Sequence, residues 1–212
     1  MASSAAPVAS PRSIRSWLSN PFQYLAGGGA LAAGIVLMVG AGLLGSLSNS
    51  HFDGVLDFHT GAPAPRWLFL AEGLVDWVAL CLPLWLGGLL LSKRKFRALD
   101  LVGTQALARF PTLVPAALAL LPGYQRYGLY LQARILRVGP TVDLATGDAV
   151  VFGFVTLAML VAVVWMVVLM YRAFALSCNV QGARAIGVFS AALLVGEVAS
   201  KLTIGALLKA AV

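Results

Sequence analysis

Five ionisable side chains, Glu72, Asp76, Arg109, Glu197 and Lys201, stand in stretches that are otherwise apolar. A charge at the centre of a membrane helix costs at least about 2.5–3.5 kcal/mol on insertion scales, so such residues face a bundle interior and find partners. Their spacing suits that role. Glu72 and Asp76 are four residues apart and share a helix face. Glu197 and Lys201 repeat the spacing with the acid on the N-terminal side, the better order for an ion pair. Counting about 1.5 Å per residue puts Glu72 and Asp76 roughly 8 and 14 Å deep from one side, and Arg109, Glu197 and Lys201 roughly 12, 18 and 24 Å deep from the other. Those depths allow Glu72 and Asp76 to meet Lys201, and Arg109 to meet Asp76 or Glu197. Such a cluster would either line a cavity for an ion, proton or lipid headgroup, or neutralise itself and fix helix packing. Three acids against two bases leave one spare acid, which could sit protonated. Transporters usually carry internal repeats or matched broken helices. The chain has neither, which favours packing. Pro111 and Pro115, which interrupt the stretch holding Arg109, are the feature closest to a cavity signature.

A second constellation is His51, Asp53, Asp57 and His59, in the pattern His-x-Asp-x-x-x-Asp-x-His. Imidazoles and carboxylates suit a divalent metal. A polar loop of this kind is more often simply solvated, and Gly54 and Gly61 place both aspartates beside turns. No metal is expected, with these four as the weak candidates. Phosphate-binding loops, His-Glu-x-x-His, nucleophile elbows and Cys-x-x-Cys are all absent from the sequence. Cys81 and Cys178 are too few for a disulfide framework. The expectation is a non-enzymatic protein without a cofactor.

The elements that must position these residues are apolar helices. Of 212 residues, 60% are hydrophobic and 11% charged, and the mean hydropathy is +0.89. Soluble domains carry about 25% charged residues, so an ordinary soluble globule, a disordered chain and a nucleic-acid-binding module are excluded. A bilayer core of about 30 Å takes about 20 apolar residues in helix. Five stretches qualify: 24–47, 67–91, 101–121, 149–171 and 185–208. The first is too long for the core of a signal peptide, about 7–15 residues, so it is read as a retained helix. Alternate loops hold eight and five Lys/Arg, with the dense group Lys93, Arg94, Lys95 and Arg97 on the richer side. Cytoplasmic loops hold the excess. The N-terminus is therefore expected inside and the C-terminus outside. Trp17, Tyr24, Trp67 and Tyr171 fall at span ends, where aromatic residues favour the headgroup layer.

Between the third and fourth spans, Tyr124, Tyr127, Leu131, Ile135 and Val138 recur on one helical face, and Arg126, Tyr130, Arg134 and Arg137 on another. This predicts a short helix, stopped by Gly139-Pro140, that either lies in the outer interface with its arginines toward headgroups or caps the bundle. Ala26, Ala30 and Gly34, and likewise Ala192, Gly196 and Ser200, form small-residue stripes that let helices approach closely. Residues 1–19 are read as a disordered cytoplasmic tail, rich in Ala, Ser and Pro at its start.

The chain resembles the bacterial branch of the Yip-one domain family, the Ypt/Rab-interacting polytopic membrane proteins. The resemblance rests on Asn20-Pro21-Phe22 ahead of the first span and on the run from Lys93-Arg94-Lys95-Phe96-Arg97 through Gly103-Thr104-Gln105-Ala106-Leu107-Ala108-Arg109-Phe110-Pro111. Tyr171-Arg172-Ala173-Phe174 at the end of span four, and a short loop with Gly182, complete it. It covers Phe22 to the end and implies five transmembrane helices with a cytoplasmic N-terminus. Rab-type GTPase binding is not carried over. The tail is too short for a folded GTPase-binding segment, and Asp100-Leu101-Val102-Gly103-Thr104 only partly echoes the aspartate-leucine-aromatic-glycine-proline motif of eukaryotic members.

The sequence thus predicts an all-α polytopic membrane protein, with residues 20–212 forming a five-helix Yip-one-like domain in a bacterial cytoplasmic (inner) membrane. Its expected role is membrane-organising, scaffold-like or trafficking-like. The alternative is a small transporter, channel or lipid-handling protein using the intramembrane charges. The lipid bilayer is the expected partner, with a second copy or another membrane protein suited to the small-residue faces, and no nucleic acid.

Overall fold

The computed structural model describes residues 13–61, 63–137, 139 and 141–211. Residues 1–12 of the expected disordered tail, Arg12 among them, lie outside these, as do Val138 and Pro140. Ile14–Ser19, assigned to the tail, instead form a short helix α1, capped by the Ser13 hydroxyl accepting from the Ser16 N–H.

Among the described residues, four helices are long and apolar enough to cross a membrane: Gly27–Ser48 (α2), Arg66–Leu91 (α3), Asp148–Cys178 (α7) and Ala183–Ala211 (α8). Their ends follow local chemistry. Asn49 and Asn179 adopt the left-handed conformation and close α2 and α7 with backbone bonds to the preceding turn. Asp148 places a negative charge at the N-terminus of α7, where the helix dipole favours it. Among the described residues the only strands are a two-residue antiparallel clip, Ser50–His51 (β1) with Thr60 and His59 of His59–Thr60 (β2).

The expected third span, 101–121, is not one continuous helix. It begins earlier, as Ala98–Leu107 (α4), passes through a tight turn at Phe110–Thr112, and resumes as Leu113–Leu118 (α5). Pro111 lacks the N–H that an α-helical ladder needs and the ladder breaks there, whereas Pro115 lies in the first turn of α5, where no such bond is needed. Beyond Leu118 the chain turns by 83° into Pro122–Leu131 (α6), and the bent pair adds a fifth crossing if taken as one span.

Neighbouring contacts fix the helix directions. Gly34 of α2 lies against the backbone of Ala106 and Leu107, and Gly40 beside Leu113, so α2 and α4–α5 run the same way. Met38 meets Gly73, and Phe69 meets Gly42, so α3 runs against α2. Leu80 meets Gly196 and Gly87 meets Val188, making α3 and α8 antiparallel. Thr104 bonds Ser177, and the Phe110 ring packs edge-on to Trp165, so α7 opposes α4–α5. The consecutive long elements therefore alternate in direction. Arg15, the 93–97 loop, Arg172 and Arg184 gather at one end, and the 49–65 loop and α6 at the other.

Ala26 is exposed, but the rest of both small-residue stripes is used inside the chain. Ala30 is fully buried with Gly34 against α4, and Ala192, Gly196 and Ser200 are buried against α3. Leu80, Leu84, Leu101, Leu169, Met170 and Phe174 fill the centre. The outward face is equally apolar. In α7 only 22% of the most hydropathic window is buried, and Phe154, Leu157, Leu160, Val161 and Val164 point away from the protein. In water this surface would far exceed the apolar patch a soluble monomer tolerates. The structure is compatible with a multi-pass membrane protein.

Candidate functional site

The loop between α2 and α3 does not lie free over the bundle. The β1–β2 clip sets His51 opposite His59, and Ser50, His51, Phe52 and Val55 are buried. Two carboxylates from the helices below hold it. Glu72 of α3 meets His51 Nδ1 at 2.6 Å and accepts the Phe52 N–H at 2.9 Å. Glu197 of α8 accepts the Leu56 N–H at 2.9 Å. Gly54 sits so close to Glu197 that a Cβ there would lie 2.5 Å from its Oε1. The His51 ring stacks on Phe69 at 4.4 Å, and Phe52 packs on Phe58. A carboxylate that accepts a backbone N–H and an imidazole is far cheaper to bury than a bare one.

Deeper in the bundle Arg109 Nη2 donates to Asp76 Oδ2 at 2.8 Å, with both side chains buried. The second oxygen of Asp76 accepts from the Ser200 hydroxyl of α8. Arg109 is presented by the break between α4 and α5, and the Thr112 hydroxyl satisfies its carbonyl at 2.7 Å. Gln105, one turn earlier, donates to the Met170 carbonyl of α7 at 2.9 Å. Asp76, Arg109 and Ser200 thus join α3, the broken element and α8.

The single intramembrane cluster expected from the sequence is therefore divided. Of the two acids open to Arg109, it takes Asp76 and not Glu197. Lys201 does not meet Glu72 or Asp76. It pairs with Asp57 of the loop and lies 3.7 Å from Glu197. Its long aliphatic stem lets the ammonium reach the polar end of the helix. Glu72 turns outward to the loop for a reason no hydropathy pattern carries, the position of His51. Neither Gln105 nor Ser200 belongs to the polar cluster expected from the sequence. A polar side chain in an apolar run was the available signal for both.

Of the four weak metal candidates, His51 is committed to Glu72. Ligand atoms of Asp53, Asp57 and His59 lie within 4.8 Å of one another, so these three are the residues that could hold a cation. The groups now balancing them are basic side chains: His59 Nδ1 stands 3.4 Å from Asp53, and Lys201 contacts Asp57. The neighbouring His59 imidazole holds Asp53 below the usual carboxylate range despite partial burial, and Asp53 in turn raises His59 above the ordinary imidazole value.

Lys93, Arg94, Lys95 and Arg97 are exposed at the opposite end. The predicted helix of the third connection forms as α6, but not all its arginines face outward. Arg126 makes a two-pronged pair with Asp148 at 2.9 and 2.7 Å, while Arg134 and Arg137 are exposed. With Tyr124 and Tyr127 packed on Phe152, α6 covers the end of α7.

Comparison of the chain with protein-family models, curated proteins and solved structures finds no match.

Proposed function

We propose that the chain is a five-span, non-enzymatic membrane protein of the membrane-organising or scaffold type, as its resemblance to Yip-one proteins implies, set in a bacterial inner membrane. Ala98–Leu118 is the third crossing. Its 21 residues reach about 31 Å at 1.5 Å each, the thickness of the hydrocarbon core. The alternating helix directions support this count, and α6 then lies across the outer end. The basic end faces the cytoplasm.

One observation carries the functional reading: each of the five charges within the spans has a partner in the chain itself. Asp76 pairs with Arg109, Glu72 with His51, and Glu197 and Lys201 with the loop. Breaking a buried pair by removing one partner costs about 3–5 kcal/mol, whereas replacing both by apolar groups is often neutral. Asp76→Leu and Arg109→Met should each lower the melting temperature of the purified protein sharply. The double variant should recover most of that loss. Proteoliposomes holding wild type or the double variant should show equal proton permeability with a trapped pH dye. Wild-type permeability above that of empty vesicles, lost in a folded double variant, would sink the reading.

A transporter or lipid-handling reading has one observation in its favour. Arg109 Nη1 and Gln105 Oε1 are buried and make no hydrogen bond among the described residues. The same permeability experiment tests it.

A further inference from the structure

The α1 segment is strapped to α7 at the basic end of the molecule. The Trp165 indole N–H donates to the Leu18 carbonyl at 2.8 Å, and the Arg172 guanidinium donates to the Ser19 carbonyl. Between them lies an open groove of about 490 Å3 lined by Ile14, Arg15, Leu18, Trp165, Val168 and Arg172. Among the described residues neither Arg15 nor Arg172 makes an ion pair. Trp165 also lines a second groove, of about 390 Å3, running between α5 and α7 past Val161, Ala158 and Leu157 to Phe154. Arg172, Val168, Trp165, Val161, Leu157 and Phe154 recur every three or four residues, so they form one continuous stripe of α7. The stripe is about 27 Å long at 1.5 Å per residue. It begins at two guanidinium groups and continues as hydrocarbon.

We propose that this stripe is a binding site for an anionic phospholipid, with the phosphate between Arg15 and Arg172 and an acyl chain along Trp165 toward Phe154. Guanidinium groups present paired donors that match phosphate oxygens. The stripe exceeds the half-thickness of the bilayer core, about 15 Å, so an acyl chain finds side chains along its whole course in the leaflet. The charge of this end selects the headgroup. Among the described residues it carries seven Lys/Arg (Arg15, Lys93, Arg94, Lys95, Arg97, Arg172 and Arg184) against Asp100 alone. A zwitterionic headgroup gains little from that excess, and an anionic one gains from every charge nearby. The inference rests on the membrane-spanning reading above.

The test uses the full chain reconstituted in phosphatidylcholine vesicles. A minor fraction of either phosphatidylglycerol or phosphatidylcholine carries brominated acyl chains, which quench nearby tryptophan fluorescence. Brominated phosphatidylglycerol should quench more than brominated phosphatidylcholine at equal fraction, and Trp165→Phe should remove most of that excess. Arg15→Gln, which leaves the Arg172 strap intact, should weaken the apparent affinity about fivefold, the equivalent of one basic contact. Arg15→Gln with Arg172→Gln should abolish the excess. Inorganic phosphate in the buffer should not compete; competition would make the site one for free phosphate and overturn the proposal. Equal quenching by the two lipids, or excess quenching unchanged in the double variant, would overturn it too. Extraction of the vesicles at alkaline pH separates the two readings. A chain that washes off refutes the membrane reading, whereas one that stays embedded and shows no lipid preference refutes only this site.

Discussion

At the scale of single residues, the outer loop joins the helices through side chains whose charge state matters. His59 and Asp53 face each other, with Asp57, His51 and Lys201 acting on the pair. The folded state raises His59 above its ordinary 6.5, so its contribution is complete below that pH and is lost as pH climbs through the raised value. Asp53 is lowered from 3.8, so its contribution is present above that value and disappears as pH falls through the lowered one. Melting temperature against pH should therefore be highest between the two limbs. His59→Gln should flatten the upper limb, because an amide does not titrate. An upper limb unchanged in that variant would show that another group produces it. Little of this was readable in advance. The residue types and their pattern were visible, but pairing depends on where Glu72 and Glu197 arrive, and Leu56 and Glu197 are 141 residues apart.

Elements were more legible, because hydropathy over 20 residues is a local property. Four of the expected spans match long helices to within a few residues at most ends. The fourth was cut short at Tyr171, since Arg172 ends the apolar run. The helix itself continues to Cys178, as backbone hydrogen bonding does not stop where the surroundings turn polar. Prolines marked the weak third element but not the way it would be divided. Close packing between elements can be tested at glycines. A side chain at Gly34 would collide with the α4 backbone at Ala106 and Leu107, whereas Gly28 has nothing within 4 Å. Gly34→Leu should cost at least about 1–3 kcal/mol, the usual range for overpacking. Gly28→Leu should leave the melting temperature in detergent within a few degrees of wild type. Similar losses from both would mean that α2 and α4 are not in contact in the membrane.

For the whole molecule, the separation of charge predicts an orientation. Cys81 and Cys178 are both buried, so a single added cysteine reports without much background. In spheroplasts, a membrane-impermeant maleimide should label an Ala145→Cys variant readily. A Lys95→Cys variant should react only after the membrane is opened. The reverse pattern would invert the topology, and labelling of both from outside would place the 93–97 loop and the third connection on one side, reducing the crossings to four.

The carboxylates of α3 also impose an order on how the molecule comes into being. Glu72 can engage His51 as soon as α3 emerges, because that partner precedes it in the chain. Asp76 must wait for Arg109, 33 residues later, and then for Ser200, 124 residues later. Glu197 and Lys201 arrive last and fasten a loop synthesised long before. Until α8 is in place, the nascent chain holds an incomplete polar centre, so α3 gains its full anchorage only once α8 has been made. The loop between α2 and α3 is thus locked by a helix made well after it.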